Sequence, residues 1–306
     1  MADVGWLWIP IVLLAAAAQT VRNAAQKDLG RTAGTLAATS VRFVYGLPFA
    51  LIGLAVVFLP ANKPLPVPNA TFVGCVAASA LAQLVATALL PAAMQRRSFI
   101  VAVAYSKTEV LQVALFSVVL LGETVTALSF AAIVVASLGV WMLSLPSSGP
   151  SAAADAPRGW LSSTALAGAG SGAGFALSAV GYRAAAQALG PMPAWESAAY
   201  ALVWAQALQS IAILAALGLW RPAALGATLR AWRVSMLAGA FGALASFGWF
   251  TAFALRNAAD VRTLALVEVL YGYLVSRRAF AEHVARREKW ALLLLTLGIA
   301  AVAAQR

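Results

Sequence analysis

The chain contains ten long apolar stretches separated by short polar breaks, and this pattern limits the folds open to it. Each stretch holds about 20 residues, the length that an α-helix needs to cross the hydrocarbon core of a bilayer. Of the 306 residues, 62% are hydrophobic and only 10% are charged. The sequence therefore predicts an all-α integral membrane protein with ten transmembrane helices, near residues 5–22, 34–59, 70–94, 98–121, 125–145, 160–183, 195–219, 232–254, 258–281 and 288–305.

The charged and reactive residues argue against several other classes. The net charge of +11 comes largely from basic residues in the short breaks, where topology signals and lipid headgroups account for them, so we expect no nucleic acid partner. The single cysteine, Cys75, has no partner for a disulfide within the chain, and the single histidine, His283, makes neither a metal site nor a catalytic cluster. We therefore expect no metal, no cofactor and no enzymatic activity. The first stretch lacks a basic n-region and predicts a retained helix.

The second half of the chain repeats the first. The segment "TEVLQVALFSVVLLGE" (108–123) returns 159 positions later as "VEVLYGYLVSRRAFAE" (267–282). Without gaps, Glu109 matches Glu268 and Glu123 matches Glu282, and further along the same offset places Gly139 on Gly298. An offset that holds across several helices indicates an internal duplication.

A linker-like segment, "LPSSGPSAAADAPRG" (145–159), lies between the fifth and sixth apolar stretches. The predicted domains are a first five-helix repeat over residues 1–145, a linker over 146–159 and a second five-helix repeat over 160–306. Because five is odd, the second repeat enters the membrane with the opposite orientation. Inverted repeats of this kind are typical of secondary transporters, whose substrate site lies near the bilayer midplane.

The chain resembles a known family in several ordered motifs. These are "SVRFVYGLPFA" with Arg42, "LLGE" with Glu123, the counterpart Glu282, and the helices with Gly139 and Gly298. Together they resemble the drug/metabolite transporter superfamily, and within it the EamA-type ten-helix exporters. The resemblance implies a transporter whose cavity is lined by helices one, three, four, six, eight and nine. Relatives often carry a proline after the residue that matches Glu109 or Glu268, whereas this chain has valine at both places, so we expect its hinge elsewhere.

Two glutamates lie deep in predicted membrane helices. Glu109 and Glu268 each fall about ten residues into a helix, roughly 15 Å from its start, near the middle of the hydrocarbon core. A charge at that depth costs about 3 kcal/mol on insertion scales and often marks an ion or substrate path. Proton coupling or binding of a substrate amine is one interpretation. The other is that each carboxyl only joins helices by hydrogen bonds.

Helical spacing places several polar residues beside these glutamates. Tyr105 and Gln112 share a face with Glu109, and Tyr271 shares a face with Glu268. Other predicted cavity helices contribute further candidates, namely Gln19, Asn23, Gln83, Tyr182 and Trp249.

Three basic residues are candidates for an anion site or for structural roles, namely Arg42, Lys107 and Arg262. We expect Arg42 to anchor the start of the second helix at the membrane interface. We expect Lys107 to point away from Glu109, and Arg262 to pair with Asp260.

The sequence as a whole predicts a secondary active transporter, as an exporter, for a small amphipathic metabolite such as an amino acid or an amine-bearing compound. Protons are the expected coupling ion, and membrane lipids are the surroundings. The alternative is a translocase for lipid carriers or lipid phosphates in the same superfamily, which the three basic residues keep open.

Most lysines and arginines outside the predicted helices lie in the odd-numbered loops. The positive-inside rule then places those loops in the cytoplasm and both termini outside, whereas relatives generally have both termini inside. We expect a multi-pass protein of the cell (inner or plasma) membrane, with a homodimer as an open possibility.

Overall fold

The structure is a computed structural model of the chain. It describes residues 4–33, 35–60, 62–96, 106–143, 163–280 and 286–305. Within these ranges the chain is built from helices and contains no β-strand. Tyr105, the predicted linker, Glu282 and His283 lie outside the described residues.

A 3-10 turn at Val4–Trp6 precedes the helices. In chain order they are α1 (Trp8–Ala33), α2 (Thr35–Val44), α3 (Leu47–Phe58), α4 (Ala70–Arg96), α5 (Glu109–Leu121), α6 (Ala127–Leu143), α7 (Ser163–Ala188), α8 (Ala194–Trp220), α9 (Pro222–Arg230), α10 (Trp232–Leu255), α11 (Ala258–Leu264), α12 (Val267–Phe280) and α13 (Arg286–Ala303).

Several of these helices have the length and composition of membrane spans. Among the described residues, four qualify fully, namely Thr39–Phe58, Ala70–Leu90, Ala194–Trp220 and Trp232–Leu255. Two further helices, α5 and α6, are apolar but shorter. The fold is therefore all-α with several membrane-crossing helices, as predicted, and the count of ten stays a prediction.

The first helix is longer than the sequence suggested. Its apolar stretch was expected to end at residue 22, but α1 continues through "NAAQKDLGRTA" to Ala33. Hydropathy marks only the part of a helix that suits lipid, whereas alanine, glutamine, lysine and arginine are good helix formers in water as well. The prediction was wrong about where the helix ends, and Arg22, at the end of the predicted stretch, is a buried residue inside α1.

The chain divides into two compact units. Unit 1 consists of residues 1–80 and 181–256, and unit 2 consists of residues 81–180 and 257–306. Both units draw on each of the predicted repeats.

In unit 1, α1 packs along α10, and α8 contacts α2, α3 and α10. The close approach of α1 and α10 depends on Gly248, where a Cβ atom would lie only 2.8 Å from Ala15 Cβ. The predicted second helix is broken between α2 and α3, at Tyr45 and Gly46, just before Pro48. The proline lacks a backbone N–H and cannot donate to the preceding turn, which favours a break at this place.

In unit 2, α6 and α13 pack against each other through reciprocal contacts. A Cβ atom on Gly139 of α6 would lie 2.7 Å from Ala291 O and Leu295 N of α13. A Cβ atom on Gly298 of α13 would lie 2.7 Å from Ala132 O of α6 and from the Cβ of Ala136, the residue that matches Leu295 in the repeat. The two glycines match each other at the repeat offset, and so do the residues that they contact. Glycine at both places lets the two helix backbones approach closely.

Unit 2 also contains two helix breaks without proline. One is the turn at Lys107 and Thr108 before α5, and the other is the turn at Ala265 and Leu266 before α12. Across the second break, the backbone changes to bonds between residues three apart, such as Leu266 N to Thr263 O and Val269 N to Leu266 O. Bonds of this spacing form a tighter helical turn than the α-helix. The breaks lie at nearly matching repeat positions, directly before the region of each glutamate.

Candidate functional site

The clearest charged contact in unit 2 joins Glu109 to Arg262. Glu109 Oε1 lies 3.1 Å from Arg262 Nε, and the two side chains are only 14% and 15% exposed. The contact is an ion pair set by charge, because the two atoms are close without forming an aligned hydrogen bond. Arg262 therefore pairs with Glu109, and the expected pairing with Asp260 stays a prediction.

The helix ends explain why these two charges lie where they do. Glu109 is the first residue of α5, and Arg262 is in the last turn of α11, which contacts α5. A helix favours a negative charge at its first turn and a positive charge at its last turn, so each residue suits the end of its own helix.

A polar residue and a glycine complete the surroundings of Glu109. Gln112 Nε2 donates to Thr108 Oγ1 at 3.2 Å and to Ala169 O of α7 at 3.4 Å. At Gly172 of α7, a Cβ atom would lie 2.8 Å from Ser106 O and 3.2 Å from Glu109 N. Glycine therefore lets α7 approach the helix break.

The other predicted residues of unit 2 lie on different elements. Glu268 is in the first turn of α12 and is half-buried, as is Tyr271 one turn later. Gln83 is half-buried on α4, and Lys107 is half-buried in the turn before α5. The structure thus brings Glu109, Gln112 and Arg262 into one neighbourhood, and the grouping of the remaining residues with them stays a prediction.

Asp260 has its own environment in unit 2. Its side chain is 1% exposed and lies 2.9 Å from the hydroxyl of Ser129 on α6. Its backbone N–H donates to Asn257 Oδ1, which caps the start of α11. No sequence pattern connects Asp260 with Ser129, because the two residues are far apart along the chain.

In unit 1, two predicted residues are in direct contact. Trp249 Nε1 donates to Gln19 Oε1 at 3.0 Å, which joins α10 to α1. Asn23 is exposed and accepts from the buried Arg22 at 2.7 Å. The hydrogen bond between Trp249 and Gln19 therefore brings together two site candidates that the sequence placed on separate helices.

Tyr182 and Arg42 are also in unit 1 and have different partners. Tyr182 is buried, its ring centroid lies 4.1 Å from that of Phe250, and its hydroxyl accepts from Gln209 Nε2 at 3.4 Å. Arg42 is in the last turn of α2, with its guanidinium 4.7 Å from the Phe43 ring centroid. It lies near the start of the candidate membrane span Thr39–Phe58, and its role as an interface anchor stays a prediction.

Sequence reasoning missed a polar row on α8. Gln206, Gln209 and Ser210 are spaced as one helix face and are all buried. Ser210 Oγ donates to Phe43 O, and the Gln206 amide lies against Gly46 at the break. Gln206 Oε1 has no hydrogen-bond partner among the described residues. The spacing of Gln206 and Gln209 in the sequence places both on one helix face, and this pattern could have identified the row.

Across the described residues, no group of three or more histidines, cysteines, aspartates or glutamates is arranged to hold a metal ion.

The structure combines helices long enough to cross a membrane with a sheltered ion pair beside two helix breaks. Ionised side chains inside membrane proteins are characteristic of proteins that move ions or solutes. Residues 6–145 match the model of the EamA-like transporter family. The resemblance drawn from the sequence is thereby confirmed. This match and the apolar helices together indicate a multi-pass membrane protein.

The fold is shared with a solved structure. A protein of known crystal structure is 17% identical to this chain, with 96% of this chain and 94% of that chain covered and a TM-score of 0.68. At this identity the likeness concerns the fold alone. No curated protein matches the chain by sequence.

Proposed function

We propose that the protein is a secondary active exporter that moves a small amphipathic metabolite, such as an amino acid or an amine-bearing compound, in exchange for protons. The observation that carries this proposal is the ion pair between Glu109 and Arg262 in unit 2. It places a carboxylate at a helix break, with an arginine as its counter-charge.

The pair has the chemistry of an exchange site. A carboxylate away from water needs a counter-charge or a proton, because an uncompensated charge in low dielectric is costly. Arg262 supplies that counter-charge in this structure. A proton on Glu109, or an ammonium group of a substrate, would replace Arg262 in this role. Competition between a proton and an ammonium group for one carboxylate couples the two flows in opposite directions, as an exporter requires.

The internal duplication supports the inverted-repeat part of the proposal. The reciprocal contacts of Gly139 and Gly298 are those expected of two segments related by a two-fold axis, because each segment then presents the same residues to the other. The breaks before Glu109 and Glu268 suit the interrupted helices that form substrate sites in such transporters. We therefore propose ten helices in two inverted repeats, over residues 1–145 and 160–306, joined by the linker 146–159.

The proposed site and surroundings follow from this plan. We assign substrate binding or coupling to Glu109, Glu268, Tyr105, Gln112, Tyr271, Gln19, Asn23, Gln83, Tyr182 and Trp249, with Arg42, Lys107 and Arg262 as anion-binding or structural residues. The protein is proposed for the cell membrane, with both termini outside by the positive-inside rule, and a homodimer is one assembly to test.

The alternative is a translocase for lipid carriers or lipid phosphates. A phosphate site requires basic side chains that are available to the ligand. Arg262 faces Glu109 at 3.1 Å, which gives its guanidinium a protein partner and favours the metabolite exporter.

A counterflow assay in proteoliposomes separates the two functions. Vesicles are loaded in turn with unlabelled amino acids, organic cations or lipid phosphates, and exchange of the labelled compound is followed. We expect exchange with an amino acid or an organic cation and none with lipid phosphates. Exchange with lipid phosphates alone would establish the alternative. The control is Arg262→Lys, which keeps the charge but not the planar guanidinium.

A further inference from the structure

A short helix of unit 1, α9, lies between two candidate membrane spans. It follows α8, which ends at Trp220, and precedes α10, which begins at Trp232, with a single residue on each side. Its nine residues extend only about 13 Å, which is too short to cross a hydrocarbon core of about 30 Å. The end of α8 and the start of α10 therefore lie at the same surface of the membrane, and α9 lies there with them.

One side of α9 is fixed to the rest of unit 1. Thr228 is buried, and its hydroxyl oxygen lies 3.0 Å from that of Ser40 on α2. The Tyr45 hydroxyl lies 3.2 Å from Thr228 O and 3.3 Å from Leu229 O. These carbonyls belong to the last turn of α9, where a helix leaves them without a partner of its own. The contacts hold α9 by a defined side, so its opposite side faces outward.

The outward side carries an arginine that lies along the helix. Leu229 and Arg230 are exposed, as are the first two residues of α9. A Cβ atom on Gly226 would lie 3.7 Å from Arg230 Nη2 and 3.8 Å from its Nη1. The guanidinium of Arg230 therefore lies over Gly226, one turn back along the outward side of α9.

Tryptophan rings flank α9 at both ends. Trp220 is 75% exposed and Trp232 is 55% exposed. Arg221, which separates Trp220 from α9, is exposed as well. Tryptophan is enriched where the hydrocarbon core meets the lipid headgroups. We call the five exposed residues Trp220, Arg221, Leu229, Arg230 and Trp232 the α9 surface.

The charge of this part of the chain is positive without local compensation in the sequence. Residues 197–259 contain four arginines and no aspartate or glutamate. The nearest preceding acid, Glu196, is at the other end of α8, about 36 Å along the helix from Trp220, and it is paired with Lys63 at 2.6 Å. Arg221 and Arg230 therefore place two positive charges at the membrane surface, on a segment that brings no acid of its own.

We propose that the α9 surface binds anionic phospholipids, with Arg221 and Arg230 contacting the headgroups. The planar guanidinium group matches the oxygens of a phosphate. Trp220, Leu229 and Trp232 supply the apolar contacts for the first part of the acyl chains. A phosphatidylcholine headgroup also has a phosphate, but its net charge is zero, so the two arginines select lipids with a net negative charge.

Lipid binding at the α9 surface is independent of the proposed function. It requires a multi-pass protein in a bilayer that contains anionic lipid, but neither proton exchange nor a particular substrate. A negative result here leaves the exporter proposal standing, and failure of the exporter proposal leaves this one standing.

Native mass spectrometry of the full-length protein in detergent provides the test, with phosphatidylglycerol and phosphatidylcholine added in turn. We expect the wild type to bind phosphatidylglycerol more tightly than phosphatidylcholine. An arginine beside an anionic lipid surface contributes about fivefold in affinity, so Arg221→Gln combined with Arg230→Gln should weaken phosphatidylglycerol binding by roughly 25-fold. Phosphatidylcholine binding should not change. Melting temperatures verify that the variants fold.

The matched control is Arg233→Gln, which removes the same charge nearby. Arg233 is exposed, but its guanidinium lies 5.6 Å from the Trp232 ring centroid, so we expect phosphatidylglycerol binding close to that of the wild type. Arg230→Lys keeps the charge and should retain most of the binding. If the double variant does not fold, Arg230→Gln alone should still weaken binding about fivefold.

Four results would overturn the proposal. These are equal affinity of the wild type for the two lipids, unchanged phosphatidylglycerol binding in the folded glutamine variants, an equal loss in Arg233→Gln, and displacement of the lipid by inorganic phosphate. The third result would mean a diffuse attraction to basic protein, and the fourth would mean a site for free phosphate.

Discussion

The helix break before Glu109 and the break before Glu268 lie at nearly matching positions of the predicted repeat but carry different charges. At the repeat offset, Arg262 corresponds to Val103 and Asp260 corresponds to Val101. The first segment has Lys107 in its turn, where the second has Leu266. Glu109 and Glu268 match each other at this offset. Lys107, Asp260 and Arg262 have no charged counterpart in the other segment.

Under the proposed function, we expect this difference to give the two halves separate roles. In a pair of inverted segments with equal charges, the two directions of opening would have similar energies. Under the proposed function, we expect the pair of Arg262 with Glu109 to bias the protein toward the state in which that pair is formed. We therefore expect the pairing of Arg262 with Glu109 to matter more for transport than the matching positions of Glu109 and Glu268.

Removal of Arg262 should have the largest effect on this comparison. Arg262→Ala leaves the carboxylate of Glu109 without the cation seen here, and breaking such a sheltered pair costs about 3 kcal/mol of unfolding free energy. We expect a clear drop in melting temperature and loss of transport. Melting of the purified protein in detergent and uptake into proteoliposomes measure the two effects.

Two further variants show whether the lost charge pair is the cause. Glu109→Gln combined with Arg262→Gln removes both charges and should recover most of the stability without transport. Arg233→Ala removes an exposed arginine that stacks on Trp232 and should change neither quantity. If the double variant melts as low as Arg262→Ala, charge pairing is not what stabilises this region.

The symmetric part of the comparison is tested at the two glycines of unit 2. Gly139→Ala and Gly298→Ala each place a Cβ atom 2.7 Å from backbone atoms of the facing helix. Because backbone atoms cannot move aside easily, each substitution should lower the free energy of unfolding by about 2 kcal/mol, and the two losses should be similar. Gly74→Ala is the matched control, since open space surrounds it. Unequal costs would argue against reciprocal packing.

A smaller effect is expected at Gln112, which corresponds to Tyr271 in the other segment. Gln112→Leu loses bonds of 3.2 and 3.4 Å to Thr108 and Ala169, which are long and together contribute about 1 kcal/mol. The melting temperature should fall by a few degrees at most. Leu111→Ala, at an exposed neighbouring position, is the control. A fall as large as that of Arg262→Ala would mean that Gln112 organises the break.

Much of the fold was predictable because hydropathy and periodicity act locally. The apolar stretches predicted α4, α8 and α10 to within a few residues. The same signal failed at the end of α1, where the helix continues beyond the apolar stretch into polar sequence. It also failed to show the breaks before α5 and α12, because no proline or glycine marks them.

The site was predictable only in part, for a similar reason. Spacing on one helix identified Glu109 with Gln112, which do lie near each other. It did not identify the partner of Arg262, because short-range proximity favoured Asp260, two residues away, over Glu109 on another helix. Contacts between helices, such as Asp260 with Ser129, depend on packing that single-helix periodicity does not contain.

The central claim is that the carboxylates at the two breaks exchange protons during transport. The direct measurement is substrate uptake into proteoliposomes across an imposed pH gradient, with the wild type, Glu109→Gln and Glu268→Gln compared at several pH values. We expect both variants to insert and fold, since the amide keeps the shape of the carboxyl, and at least one to lose proton-driven transport or its pH dependence. Melting temperatures of the same preparations verify folding. Transport by both variants with the wild-type rate and pH profile would contradict the account and leave the carboxylates a structural role.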